Sequence, residues 1–299
     1  MKRFDLAVAY TWEYDEEFVT LIERIFHNAG LKTFIIHKRN VYDVEHQIKN
    51  NKIHFKAFFD RASDEDEDFY TIHELLKKKH SYIFNPHFKT EKAIDKAYMH
   101  TKLKRAGLPV PRTLIFPPFD EKAEVFIDEK MLNYIGRPFI IKPAFYSGGS
   151  DGVVLDGTTT DEIDASRKIH TDDNYLIQQK IVPLQLEDGR AWFRCFWLIN
   201  IAVPTWWDDI THVYREISII DFEKYGLYIL TEIVRRIAQI SKLDYFSTEI
   251  AISVQNEFSI IDYVNDQCDM RLKSNHIDGV PDKIVEELVK RILWKVRSL

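Results

Sequence analysis

Two cysteines in 299 residues, Cys195 and Cys268, are too few for a disulfide framework and do not have metal-ligand spacing. Both are read as core thiols of a reducing compartment. No apolar run approaches the length of a membrane span. Met1-Lys2-Arg3 leads directly into a short strand rather than a secretory leader, so the expected location is the cytoplasm. Positive charge is not in excess either. Against 47 Asp and Glu there are 41 Lys and Arg, a net −6, which excludes a global basic field for holding nucleic acid. No nucleophilic Ser or Cys triad is evident. What is present is an ordinary globular composition, 45% hydrophobic and 29% charged, with 20 Phe, 14 Tyr and 6 Trp that argue against disorder.

The chain opens as β-α-β: a buried strand at Phe4–Tyr10, an amphipathic helix over Asp15–Ala29 stopped by Gly30, and a second strand at Leu31–Ile36. That order implies a parallel sheet. A helix at Tyr42–Asn50, a strand at His54–Phe59 and a helix at Phe69–Lys79 follow. The acidic run Asp64–Asp68 is read as a cap on that last helix. Further on, helices are expected at Thr90–Ala106, Glu121–Leu132, Asp161–Ile169, Phe222–Ser241 and Pro281–Val296. Extended stretches are expected at Thr113–Phe116, Tyr175–Gln179 and, as one long run, Ala191–Val203. Arg194 in that run needs a partner or a ligand, because a lone buried charge is unfavourable. Trp206-Trp207-Asp208-Asp209 reads as an aromatic loop.

Two stretches carry chemistry. In Arg137–Leu155 an apolar strand delivers Lys142, and the small-residue loop Ser147-Gly148-Gly149-Ser150-Asp151-Gly152 follows. Glycines let backbone N–H groups close over an anion, and a strand lysine adds charge for the same phosphates. The alternative is a tight hairpin with an exposed lysine. Strand–loop–strand order excludes a Walker loop and a dinucleotide-binding turn. The second stretch is Asp244–Asp266, where Thr248–Val254 and Phe258–Val264 flank a polar turn. A two-residue turn at Gln255-Asn256 sets Glu249 opposite Asp262. Carboxylates so paired repel unless a cation lies between them, and oxygen ligands suit Mg²⁺. A one-residue slip would instead turn one of them to solvent.

Helix lysine, strand lysine with glycine loop, hinge strand, Arg-bearing strand and acidic hairpin, in this order, resemble the ATP-grasp superfamily over roughly residues 85 to 280. Asp95-Lys96 followed by Leu108-Pro109-Val110-Pro111-Arg112-Thr113 is similar to that family's D-K…G-(I/L)-P-V-P-x-T segment. The resemblance implies an α/β (α+β) chain with two lobes sandwiching ATP: an N-terminal pre-ATP-grasp lobe at 1–88, a central lobe at 89–180 and a C-terminal lobe with the metal site at 181–299. It implies that Lys96 contacts the α-phosphate and Lys142 the α- and β-phosphates. Ser147, Gly148, Gly149 and Ser150 would close over the β- and γ-phosphates. Gln178, Gln179, Lys180 and Ile181 match the adenine hinge and Glu187 the ribose ligand. Arg194 would sit near the transferred phosphoryl group, acting with Lys142. Glu249, Asp262 and Asn265 match the Mg²⁺ ligands, with Mn²⁺ as an alternative ion. Arg271 and Ser274, just past the hairpin, are candidates for holding a substrate carboxylate.

Departures from the family pattern are plain. Asp262-Tyr263-Val264-Asn265 is one residue longer than acid-x-Asn, and strict alternation would put Asp262 and Asn265 on opposite faces. The usual P-G is absent, Gln179 replaces a common glutamate, and Trp192 stands where the D-x-R aspartate would be. The implied activity is ATP-dependent joining of a small-molecule or peptide carboxylate to an amine through an acylphosphate. The alternatives are phosphorylation of a small-molecule hydroxyl and nucleotide binding without turnover. No nucleic acid or membrane partner is expected, and a homodimer is the default assembly.

Overall fold

A computed structural model describes residues 1–149, 151–187 and 189–299. Strands β1 (Lys2–Tyr10), β2 (Thr33–Ile36), β3 (Ile53–Arg61) and β4 (Tyr82–Phe84) form a parallel sheet in the order β2-β1-β3-β4. Helices α1 (Glu16–Asn28), α2 (Val41–Lys49) and α3 (Glu67–Lys78) are the crossovers. Both faces are covered, which is why Leu6 to Ala9 form an unbroken buried run. Leu6, Val8 and Phe59 pack with α1, and Ala7, Ala9 and Phe55 pack on the other side with α2 and α3.

The helix expected over 90–106 is two: α4 (His87–Ile94) and α5 (Lys96–Arg105). Asp95 leaves helical geometry, and its carboxylate accepts from the N–H groups of Ala97 and Tyr98, capping α5 so that Lys96 opens it. These two helices pack against a later helix and the acidic hairpin described below.

β5 (Thr113–Phe116), α6 (Glu129–Ile135), β6 (Phe139–Pro143), β7 (Val154–Gly157), α7 (Thr160–Arg167) and β8 (Tyr175–Gln179) build a sheet in the order β5-β8-β6-β7, antiparallel throughout. The helix expected from residue 121 begins only at 129. The buried Arg167 guanidinium takes the carbonyls of Pro117, Lys122 and Ala123, which holds that segment open. Asp128 then caps α6 through the N–H of Met131.

A short ribbon of β9 (Gln185–Leu186) and β10 (Gly189–Arg190) precedes the largest sheet. That sheet holds β11 (Trp192–Leu198), β12 (Ala202–Trp207), β13 (Tyr214–Glu216), β14 (Tyr245–Ile252) and β15 (Phe258–Asn265), in the order β13-β12-β11-β14-β15. The single strand expected at 191–203 is a hairpin, because Ile199 and Asn200 both take positive φ and turn the chain. Trp206 and Trp207 consequently lie in β12 and are buried, not in a loop. The helix expected at 222–241 divides at Gly226 into α8 (Ile219–Lys224) and α9 (Tyr228–Ser241). One sheet face packs on α9 through Phe193, Cys195, Phe246 and Ile250. Near the other end of the opposite face, Phe196 and Tyr245 join the core shared with β3, α1 and α10 (Asp282–Ser298), and Tyr245 stacks on Phe59 at 4.9 Å. Cys195 and Cys268 are buried and free. Among the described residues, no helix is long and apolar enough to cross a membrane.

Candidate active site

The chemistry gathers between the sheet of β6 and the sheet of β11. A cleft of about 550 Å³ is lined by Lys96, Lys142, Ser147, Gln178, Gln179, Lys180 and Ile181 with Glu249 and Asp262. β6 carries Lys142 next to its end, and its apolar residues Phe139 and Ile141 anchor the strand in the core beneath. The ammonium is buried, donates weakly to the Ile261 carbonyl at 3.4 Å and lies 5.9 Å from the Tyr263 ring. Burial pushes its pKa down to about 8, with Asp262 opposing and Lys96 adding to the fall. After β6 the chain makes a tight turn at Tyr146–Gly149. Gly152, at φ +72°, then returns it to β7, and a Cβ there would meet the Tyr175 hydroxyl at 2.7 Å. Lys96 Nζ lies 3.7 Å from Asp262 Oδ1, and its backbone N–H donates to the Ala144 carbonyl.

Glu249 and Asp262 are direct ladder partners. The route to that register differs from the expected two-residue turn. Ile252 faces Phe258 and Ile250 faces Ile260, so the turn is longer, and an irregularity at Ile261 restores Glu249 opposite Asp262. A second shift sets Asn265 opposite Ser247. Ser247 and Glu249 share a face of β14, so the extra residue leaves Asp262 and Asn265 on one side of the sheet.

Arg194 is the register partner of Glu249 on β11. Its Nη1 donates to Glu249 Oε1 at 2.9 Å, its Nε donates to Ser247 Oγ at 3.2 Å, and its guanidinium lies 5.2 Å from the Trp207 ring. Burial raises the Glu249 pKa and the Asp262 charge adds to the rise, against the pull of Arg194. Burial acts on Asp262 in the same direction, but Lys96, Lys142 and Arg194 outweigh it and hold Asp262 below the ordinary carboxylate range. Cations thus keep one carboxylate of the pair charged, while the other stays costly to ionise.

No protein-family model matches the sequence, and no curated protein matches it. Solved structures match nearly the whole chain. The ATP-grasp ligase PsnB, complexed with a minimal precursor, Mg and ADP, has a TM-score of 0.66 at 13% identity over 98% of each chain. D-alanine–D-alanine ligase from Bacillus anthracis, complexed with ATP, has a TM-score of 0.68 at 12% identity over 100% of this chain and 98% of its own. A RimK-domain ATP-grasp protein from Sphaerobacter thermophilus has 0.63 at 14%, over 96% and 98%. The chain has the ATP-grasp fold.

Within this ATP-grasp cleft the expected residues are not all neighbours. Gln178 presents backbone to the cleft, since its side-chain amide donates inward to Thr113 Oγ1 and Tyr263 Oη. Gln179 Oε1 accepts from Arg112 Nε, and Lys180 pairs with Asp156. Gly148 and Gly149 belong to the turn beside Ser147, and Ser150 lies outside the described residues. Glu187 stands off the wall, exposed and ion-paired to Lys224 at 2.6 Å. Arg271 is clamped between Asp269 and Asp278 and sits over Trp12 and Tyr14. Ser274 is exposed, with its N–H donating to Asp282. Neither of these two lines the cleft.

Three wall residues went unremarked or misjudged in the sequence. Arg190 forms a two-point pair with Asp209 at 2.7 and 2.8 Å, and both line the cleft. Their separation across a hairpin leaves no local spacing to read. Trp192, at the place of the family aspartate, donates its indole N–H to Glu249 Oε2 at 3.2 Å. Both oxygens of Glu249 are therefore occupied by donors from β11.

Proposed function

We propose that the protein joins a carboxylic acid to an amine at the expense of ATP, through an acylphosphate, on small or peptide-like substrates. The observation that carries this reading is the convergence of Lys96 and Lys142 with the Glu249–Asp262 pair at one cleft, with Arg194 ion-paired to Glu249 behind it. Three cations and a carboxylate pair suit a triphosphate far better than an uncharged ligand. PsnB has been solved with a precursor peptide and AMPPNP, which supports the substrate class.

In this reading Lys96 and Lys142 hold the α- and β-phosphates, the turn from Ser147 covers the terminal phosphates, and the backbone of Gln178–Ile181 takes the adenine edge. A divalent ion fits the same wall, because among the described residues Asp262 Oδ1 is buried without a hydrogen-bond partner, with Lys96 Nζ 3.7 Å away, and Asp262 pairs across the ladder with Glu249. Glu249, Asp262 and Asn265 would hold Mg²⁺, an ion that suits oxygen ligands. Bound there, it supplies neutralisation of phosphate oxygens. A substrate carboxylate oxygen attacks the γ-phosphorus, the bond to the bridging oxygen breaks, and ADP leaves. The amine nitrogen then attacks the acyl carbon, inorganic phosphate departs, and the amine proton passes to solvent. Arg194 stabilises charge on the moving phosphoryl group.

Incubation with ATP, a pool of carboxylic acids and a pool of amines tests this. ADP and free phosphate should accumulate only when both pools are present. A stable phosphorylated product would make the protein a kinase, and nucleotide binding without turnover would make it a binding module.

The lowered pKa of Lys142 gives a pH signature. Phosphate binds the ammonium, which is present below about pH 8 and lost above it. ADP affinity is therefore expected to weaken roughly tenfold from about pH 7 to about pH 9, and Lys142→Gln should flatten the profile. Calorimetric titration at the two pH values measures it. Equal affinity in the unaltered chain would remove Lys142 from the phosphate site.

A further inference from the structure

Among the described residues, one group of metal-ligating side chains lies apart from the cleft. Asp60 is the penultimate residue of β3, His73 sits in α3, and His87 opens α4. One ligand atom from each lies within 4.8 Å of the other two. His73 Nδ1 is 2.9 Å and His87 Nε2 4.0 Å from the same atom, Asp60 Oδ2. The imidazole rings are 3.9 Å apart between centroids. A tetrahedral ion with bonds of about 2.0–2.1 Å sets its ligands about 3.4 Å apart, and the two carboxylate distances straddle that value.

We propose that Asp60, His73 and His87 form a second metal site, for a divalent transition ion of the zinc class. Hydrogen bonding orients the carboxylate for this. Asp60 Oδ1 accepts from the backbone N–H groups of Ala62 and Ser63, which leaves Oδ2 aimed at the imidazoles. Ser63 Oγ bridges Asp60 Oδ2 and His87 Nε2. A divalent ion placed among them would be bonded by both imidazole nitrogens and the carboxylate oxygen together. Two nitrogen ligands disfavour Mg²⁺ and Ca²⁺ and suit zinc, cobalt or nickel. His73 and Asp60 are buried, while the His87 side chain is 19% exposed and leaves an entry path.

Such an ion would tie β3 to α3 and to the start of α4, which follows the edge strand β4. From His87, α4 runs to Asp95, whose cap sets Lys96 at the mouth of the cleft. The metal is therefore a brace on the N-terminal lobe and on the approach to the cleft, and it has no part in phosphate chemistry.

The test uses the full chain carrying Asp262→Asn, so that the cleft carboxylates do not contribute. After chelator treatment and gel filtration, Zn²⁺ alone is added and retained metal is measured. Co²⁺ alone serves as the spectroscopic probe. A single equivalent should be retained, with ligand-field bands of a nitrogen-ligated, low-coordinate site. His87→Ala, at a partly exposed position, should lose retention and bands while keeping its circular dichroism. Absence of retention in the Asp262→Asn chain, or full retention after His87→Ala, overturns the proposal. The cobalt spectrum of the chain with all three ligands decides the matter without that variant: bands lacking nitrogen ligation reject the site.

Discussion

Asp262→Asn is expected to lower magnesium-dependent ATP turnover by about 10²–10³-fold. The substitution keeps size and shape, so its effect is one of charge. Asp262 is the member of the carboxylate pair that Lys96, Lys142 and Arg194 hold ionised, and among the described residues the nearest cation to its buried Oδ1 is Lys96 Nζ, at 3.7 Å. Without that charge the remaining carboxylate, Glu249, is the one whose burial disfavours ionisation and whose oxygens already accept from Arg194 and Trp192. An ion would then meet one occupied carboxylate and a neutral amide. Loss of Asp262 also removes the anion that partly supports the Lys142 ammonium, so its pKa should fall further. Phosphate release under saturating Mg²⁺ measures the first effect, and the pH profile of ADP affinity measures the second. A basal rate equal to that of the unaltered chain would put the metal elsewhere.

The larger loss is expected from Arg194→Ala, about 10³–10⁵-fold in kcat, because an arginine facing a transferring phosphoryl group has that order of effect. Stability should fall as well. The guanidinium is held by Glu249, Ser247 and the Trp207 face, and its removal leaves Glu249 buried without its cation. Breaking a buried pair from one side costs about 3–5 kcal/mol, part of which Glu249 can relieve by taking a proton. Urea denaturation measures this. Arg194→Lys separates the two roles: it restores charge beside Glu249 and hence much of the stability, yet lacks the forked donor, and the rate should stay low. A kcat within tenfold of the unaltered chain for either variant would remove Arg194 from the reaction.

Much of this chemistry was legible in the sequence where the physics is local. Alternation along two β-prone runs placed Glu249 across from Asp262, and an apolar strand before small residues placed Lys142 next to a glycine turn. The carboxylate pairing came out as expected although the turn did not. The longer turn and the irregularity at Ile261 offset one another, and burial of the apolar residues flanking the pair fixes register more firmly than turn length does. Capping explains a miss of the same local kind: Asp95 and Gly226 each interrupt a periodic run, and periodicity alone counted across them.

The sequence by itself determined most of the element types, the parallel order of the opening lobe and that Arg194 in its β-prone run needs a partner. Only the tertiary structure decided where those charges met. Arg190 and Asp209 lie on opposite arms of a hairpin, and Arg271, close in sequence to the strand of Asp262, is drawn away by Asp269 and Asp278. Helix and strand preferences are energies between residues a few positions apart. Which side chain a buried charge finds depends on the packing of whole sheets, and that interaction is between residues the chain order does not bring together.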